Sequence, residues 1–356
     1  MHRSRINNTA IARGKLEQLY FDGPRDLNWR EAPDPQLLSP HDALVRPVAI
    51  AVCDADVAAI TGKAYREPGR PFGHEFVAEV VDVGSEVKFV AGSLVVVSFK
   101  IACGECARCL EGFSAACVSV KLLSAYGFDS AFGDWGGAMS DLVRVPYANH
   151  MMFSLPDHVD AATASSAGDN LADAYRCVAP GLEHYPGKPV LIVAGGGGAP
   201  SISLYAVAIA VALGSERVDY MDRHTDRLRI AETLGANAIE VAAPPDLVDD
   251  YLVTADTSAH PSGEWLRYAI RSTSPYGLCT SCGAYRGDIA VPMGDMYMRG
   301  IRFTIGWVNT LTQTPKVLEL LSSKKLTLEP IHTICPWSDA VEAMTNPSHK
   351  TVVVRD

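Results

Sequence analysis
Cys103-Gly-Glu-Cys106-Ala-Arg-Cys109, with Cys117 close behind, puts four soft sulfur donors in one short stretch. Two successive two-residue gaps and a fourth cysteine are the ligand set of a closed tetrahedral zinc site, with each sulfur about 2.3 Å from the metal and no position left for substrate. Such a site folds a loop. Four cysteines also hold iron–sulfur clusters, but nothing else in the chain implies electron carriage. Disulfides fit less well, because nine cysteines leave at least one unpaired in any intramolecular scheme, and crowding of this kind in a large chain more often means metal than cystine.

A second set of donors is dispersed. Cys53 stands in Val52-Cys53-Asp54-Ala55-Asp56, and Gly73-His74-Glu75 follows downstream. Alone, a cysteine is most often a small core residue and a histidine a satisfied polar one. Their order ahead of the four-cysteine lobe gives them weight. Further on, the apolar run Val190 to Ala194 enters Gly195-Gly196-Gly197-Gly198-Ala199-Pro200 and then a long apolar segment. A strand, a glycine turn and a helix in that order let backbone N–H groups meet a pyrophosphate. Two registers fit the loop: Gly196 and Gly198 as its first glycine pair, or a longer loop with Ser203 where the last glycine belongs. Asp222, ending the run from Arg217, can accept both adenosine ribose hydroxyls and repel a 2′-phosphate, so NAD is expected in preference to NADP. Arg223 pulls the other way, since a guanidinium there can stack on adenine or meet a phosphate. The lesser alternative is that Asp222 simply begins the turn toward a helix at Asp226.

These residues need elements to hold them. From Lys15 to Ser154 the text is short β-prone runs, such as Ala43 to Val52, Phe76 to Val83 and Leu94 to Phe99, broken by Gly, Pro and Asp. A helical stretch through Val178 follows, and strand-like and helix-like segments then alternate to about Gly306, as βαβ units do. The tail predicts a helix over Pro315 to Ser323, another near Asp339 to Met344 and a last strand from Thr351 to Arg355. A chain of 356 residues is long enough for two cores.

Apolar residues make up 48% and charged residues 20%, the balance of a globular protein. A formal charge of −10 argues against nucleic-acid or anionic-membrane partners, which require clustered Lys and Arg. Met1 to Gly14 carries Arg3, Arg5 and Arg13 without an apolar core, so no secretory leader and a cytoplasmic location are expected.

With Cys53, Gly73-His74-Glu75 and the four-cysteine lobe in that order, the chain resembles the zinc-containing medium-chain dehydrogenases, a family that includes alcohol, sorbitol and formaldehyde dehydrogenases. Gly136-Gly137-Ala138 to Pro146 is similar to the family's Gly-Gly-x-Ala-Glu-Tyr-x-x-Val-Pro stretch, with Ser140-Asp141 where Glu-Tyr is common. The resemblance implies an α/β protein: a GroES-like, mostly β catalytic domain over 1–160 and 307–356 with its zinc lobe at 100–120, and a Rossmann doubly wound parallel-sheet cofactor domain over 161–306. It implies two zinc ions per chain, a small alcohol or carbonyl substrate, and a homodimer or homotetramer.

The same resemblance carries the third ligand of a catalytic zinc to Asp169, in Asp169-Asn170-Leu171-Ala172-Asp173-Ala174-Tyr175. An ordinary helix N-cap is the plain alternative for this residue, compatible with the ligand role; Asp173, a turn further on, is the competing carboxylate, and Cys177 is a weaker rival that suits packing better. Cys53, His74 and Asp169 would leave a fourth position open, as catalytic zinc requires. Glu75 would be an occasional ligand or a charge beside the metal, and Asp56 would orient His74 by accepting its free ring N–H; both could instead be solvated surface charges. Cys282-Gly283 and Gly306-Trp307 are implied as the nicotinamide wall, with Cys279 an ordinary strand residue.

The implied reaction is hydride transfer between an alcohol and NAD. One departure matters. Many relatives read Cys-Gly-Ser/Thr-Asp-x-His at the first ligand, where hydroxyl and imidazole relay the substrate proton; here Ala55 and Ala58 take those places. Water, Asp54, Thr61 or Tyr65 would have to substitute. Two alternatives stay open: reduction of an enone or imine with zinc not directly catalytic, and a non-catalytic NAD-binding homologue.

Overall fold
The computed structural model describes residues 15–246 and 251–355; the leader expectation for Met1 to Gly14 lies outside the described residues. Val190–Val193 is buried at every position, as a strand covered on both faces of a parallel sheet must be. It sits within six parallel strands in the order Asn237–Glu240, Val218–Asp222, Val190–Val193, Tyr251–Asp256, Thr273–Ser281, Arg302–Ile305. Alternation divides its side chains. Val190 and Ile192 join the core under helices Asn170–His184 and Pro200–Ala212, while Leu191 and Val193 pack with Trp265 and Leu266 of Glu264–Arg271 on the other face. The chain order reverses between Val190–Val193 and Tyr251–Asp256, which opens a crevice at their carboxyl ends.

Pro200–Ala212 is apolar on every side and buried from Ser201 through Ala210, so it can only lie inside the molecule. It packs between Asn170–His184 and Thr225–Thr233.

The second sheet is mostly antiparallel, in the order His332–Pro336, Lys350–Val354, Ala43–Ala51, Glu75–Val83, Leu94–Val97, Met152–Ser154, with Val143–Val145 also paired to Ala43–Ala51. Alternating residues again face two ways: Ile50, Phe76 and Val97 enter one core, and Ala49, Val77 and Val96 enter the core shared with the parallel-sheet helices. The last strand lies beside Ala43–Ala51, with Val352 opposite Ala51, which carries Lys350 to the end of the strand that leads into Cys53. One sequence expectation shifts. The helix predicted from Pro315 begins a turn earlier, at Thr310, because the amides of Thr312 and Gln313 find the Asn309 carbonyl and the Thr310 and Thr314 hydroxyls pair with Ser98 and the Ala167 carbonyl.

Candidate active site
Strand pairing explains how distant residues converge. Ala51 faces Glu75 across the antiparallel ladder, so Cys53 and His74, just beyond the paired ends, become neighbours. Cys53 follows its strand as the N-cap of helix Asp54–Ile60, its Sγ accepting the Ala55 N–H at 3.4 Å. Asp169 comes in from the other sheet's side, immediately before Asn170–His184. Gly168 makes that approach: a Cβ there would lie 2.2 Å from the Val97 carbonyl oxygen. Cys53, His74, Glu75 and Asp169 thus offer four buried ligand atoms, all within 4.8 Å of one another.

The donors fit a small tetrahedral cation. His74 Nε2 lies 3.3 Å from Asp169 Oδ2, near the edge of a tetrahedron with bonds of about 2.0–2.1 Å, yet neither ring nitrogen of His74 forms a hydrogen bond. Asp169 occupies the N-cap position without making a capping bond, so its carboxylate is turned to His74 rather than to its own helix. Electrostatics point the same way. Burial pushes the Cys53 thiol well up, and the carboxylates of Asp169, Glu75 and Asp56 push it further. Burial works against charge on His74, but Asp56, Asp169 and Glu75 outweigh it and raise the imidazole. Carboxylates, an imidazole and a thiol packed this closely, out of water, form a site that a divalent cation relieves.

Residues around this set hold it in place. Asp56 accepts the Cys53 N–H at 3.3 Å, lies 3.6 Å from His74 Nδ1 and is fixed by Arg66 Nη1 at 2.6 Å. It is fully buried, which rules out a solvated surface charge. Glu75 is buried too and meets Lys350 Nζ at 2.8 Å; burial lifts its carboxyl to about 8 even though Lys350 opposes the shift. Asn170 is the hub: it donates to Cys53 Sγ at 3.4 Å and to Asp169 Oδ2 at 3.4 Å, while its oxygen accepts from Lys350 Nζ at 2.8 Å. The Phe128 ring lies tilted 4.5 Å from the His74 ring, Phe99 lies 5.6 Å away, and Phe132 and Trp307 extend the aromatic wall. The sequence reading missed Lys350, Arg66, Asn170 and the phenylalanines. Of the rivals to Asp169, Asp173 pairs with Arg176 at 2.7 Å and Cys177 packs in the core.

The four-cysteine lobe gathers as its spacing predicts, with Cys103, Cys106, Cys109 and Cys117 also within 4.8 Å of one another. Cys117 Sγ is 3.6 Å from Cys103 Sγ and 3.9 Å from Cys106 Sγ. Those distances are far from the disulfide bond of about 2.05 Å and close to the edge of a tetrahedron of sulfurs about 2.3 Å from zinc. Backbone N–H groups of Val118 and Cys109 draw the Cys106 thiol down to about 6, toward the thiolate that a metal takes.

In the crevice, the loop Gly195 to Gly198 leads into Ala199 as N-cap, with Pro200 first in the helix. Gly197 must be glycine, since a Cβ would lie 1.7 Å from the Ser258 carbonyl oxygen. Ser203 falls inside the helix, its hydroxyl turned to the Pro200 carbonyl and Tyr220. Asp222 is buried at the strand end, accepting from Tyr220 Oη and from the Arg223 and His224 amides. Arg223 and Arg227 reach back to the carbonyls of Gly196 and Gly197. Cys282 and Trp307 follow the ends of the next two strands, Thr273–Ser281 and Arg302–Ile305. Loop, acid and wall suit a dinucleotide; the first helix amides, however, are engaged by a carboxylate of this chain, Asp54.

Residues 39–157 match the alcohol dehydrogenase GroES-like domain. The chain is 26% identical over 342 residues to zinc-type alcohol dehydrogenase B of Aspergillus flavus, covering 92% of this chain and 78% of that one. It is 31% identical over 264 residues to L-threonine 3-dehydrogenase of Bacillus subtilis, covering 70% of this chain and 71% of the relative. Alcohol dehydrogenase TADH from Thermus sp. ATN1 superposes with a TM-score of 0.82 at 28% identity, covering 96% of this chain and all of that one. With these likenesses added to its two larger sheets and its two sets of gathered donors, the chain belongs to the zinc-type alcohol dehydrogenase family of medium-chain NAD(P)-dependent oxidoreductases.

Proposed function
We propose that the protein transfers a hydride between a small alcohol, or the matching aldehyde or ketone, and NAD, using a catalytic zinc held by Cys53, His74 and Asp169 and a structural zinc held by Cys103, Cys106, Cys109 and Cys117. The observation that carries this reading is the convergence of Cys53, His74, Glu75 and Asp169 within 4.8 Å. A zinc in that set would supply Lewis-acid polarisation of the substrate oxygen. The chain's own residues supply the rest. Arg66 holds Asp56 beside the His74 ring, where it would accept the free ring N–H, Lys350 holds Glu75 aside, and Asn170 orients the Cys53 sulfur. Phe99, Phe128, Phe132 and Trp307 offer an apolar wall that accepts the carbon body of a substrate and sheds water.

Proton transfer falls to solvent in this reading. Ala55 and Ala58 have no exchangeable group, the Thr61 hydroxyl donates to its own helix at Val57, Asp54 is engaged by two amides, and the Tyr65 side chain points outward, 72% exposed. The missing relay is also the one observation that favours a second reading, reduction of an enone or imine, in which no alcohol proton has to leave. For the cofactor, the buried Asp222 favours NAD, with Arg223 and Arg227 as the residues that would compensate a 2′-phosphate. A screen of alcohols, aldehydes and enones with NAD(H) and NADP(H) in parallel, read at the nicotinamide absorbance, tests both readings. Alcohol or aldehyde turnover that Cys53→Ser abolishes supports the first. Enone reduction that survives Cys53→Ser supports the second.

A further inference from the structure
The N-terminus of Pro200–Ala212 is where a pyrophosphate is expected, because its leading amides lack partners within the helix. Here they have one. The Ser201 N–H donates to Asp54 Oδ1 at 3.1 Å and the Ile202 N–H to Asp54 Oδ2 at 3.2 Å. Asp54 is 5% exposed, so its carboxylate is a buried anion in the position an anionic ligand would take.

The contact is built into the site. Asp54 directly follows Cys53, and its own N–H donates to Asn170 Oδ1 at 3.3 Å. The same Asn170 oxygen accepts the Ser201 hydroxyl at 2.9 Å, and its NH2 reaches Cys53 Sγ. One amide side chain thus joins the helix of the cofactor crevice, the residue capping it and a donor of the candidate metal set.

We propose that Asp54 is an internal stand-in for the cofactor's pyrophosphate, competing with it for the Ser201 and Ile202 amides and thereby weakening dinucleotide binding. This rests on the dinucleotide reading given above. Two anions cannot share two N–H donors: a pyrophosphate either displaces Asp54 or settles beside a like charge, and both lower affinity.

The test is calorimetric titration of the metal-replete protein with ADP-ribose, which carries the pyrophosphate, and with adenosine, which carries no phosphate. Asp54→Asn removes the charge and keeps an oxygen for the amides; Asp54→Ser, a good capping residue, is the second variant should the first not fold. The expected result is ADP-ribose bound about tenfold or more tighter by the variants, with adenosine changed by less than about twofold. Unchanged or weaker ADP-ribose binding overturns the proposal, and does so alone if the wild type still turns over NAD. Failure of wild type and variants alike to bind ADP-ribose, adenosine or NAD overturns the dinucleotide reading along with it.

Discussion
Lys350 is buried, contacts Glu75 and Asn170 at 2.8 Å each, and places its ammonium opposite a site otherwise crowded with carboxylates. Removing it leaves the buried Glu75 carboxyl and Asn170 oxygen without their donor, a cost of about 1–3 kcal/mol. Lys350→Met should therefore destabilise the protein by that order in urea unfolding, while Lys350→Arg retains most of the stability. Asp169 shows how side-chain direction decides a role. Aspartate at a helix start ordinarily bonds its own amides, but Asp169 makes no such bond and turns to His74. Asp169→Asn should thus cost activity of order a hundredfold or more with little loss of helix stability, read as kcat against thermal midpoint. An unchanged kcat would take Asp169 out of the catalytic set.

At the scale of elements, the cysteine lobe and the strand–helix contacts make separate contributions. Cys103→Ser should lower soluble yield and thermal midpoint before it changes kcat per folded molecule, because a closed site folds its loop and touches no substrate. His332, on the strand His332–Pro336, meets Tyr205 Oη of the helix Pro200–Ala212 at 2.8 Å, linking an element of each sheet's side. Burial, and then Lys350, lower its imidazole from 6.5 to about 4. Since the folded value lies below the unfolded one, the stability this histidine contributes is present above pH 6.5 and is lost as pH falls through about 4. Urea midpoints at pH 7.5 and 5 should show the wild type losing about 1–2 kcal/mol more than His332→Gln. Equal losses would remove His332 from the account.

Across the whole molecule, what was legible in the sequence is what is local. Cys103 to Cys117 announces its site because all four donors lie within one loop, and Val190 to Pro200 announces a crevice because strand, turn and helix adjoin. Asp222 was legible for the same reason, one βα unit further on. The residues that hold the site were not: Lys350 reaches Glu75 only because the last strand pairs beside Ala43–Ala51, and Asp54 reaches Ser201 only because the two sheets' helices meet. Such contacts follow from topology, and no periodicity or spacing encodes them. The site most dependent on that topology is the set of Cys53, His74 and Asp169, and zinc content separates it from the lobe. Metal analysis of the wild type and His74→Ala after dialysis, alongside NAD-linked turnover, should find two zinc ions per chain falling to one, with turnover lost and the fold retained. Two zinc ions in the variant, or turnover that persists with one, would contradict a catalytic metal at this site.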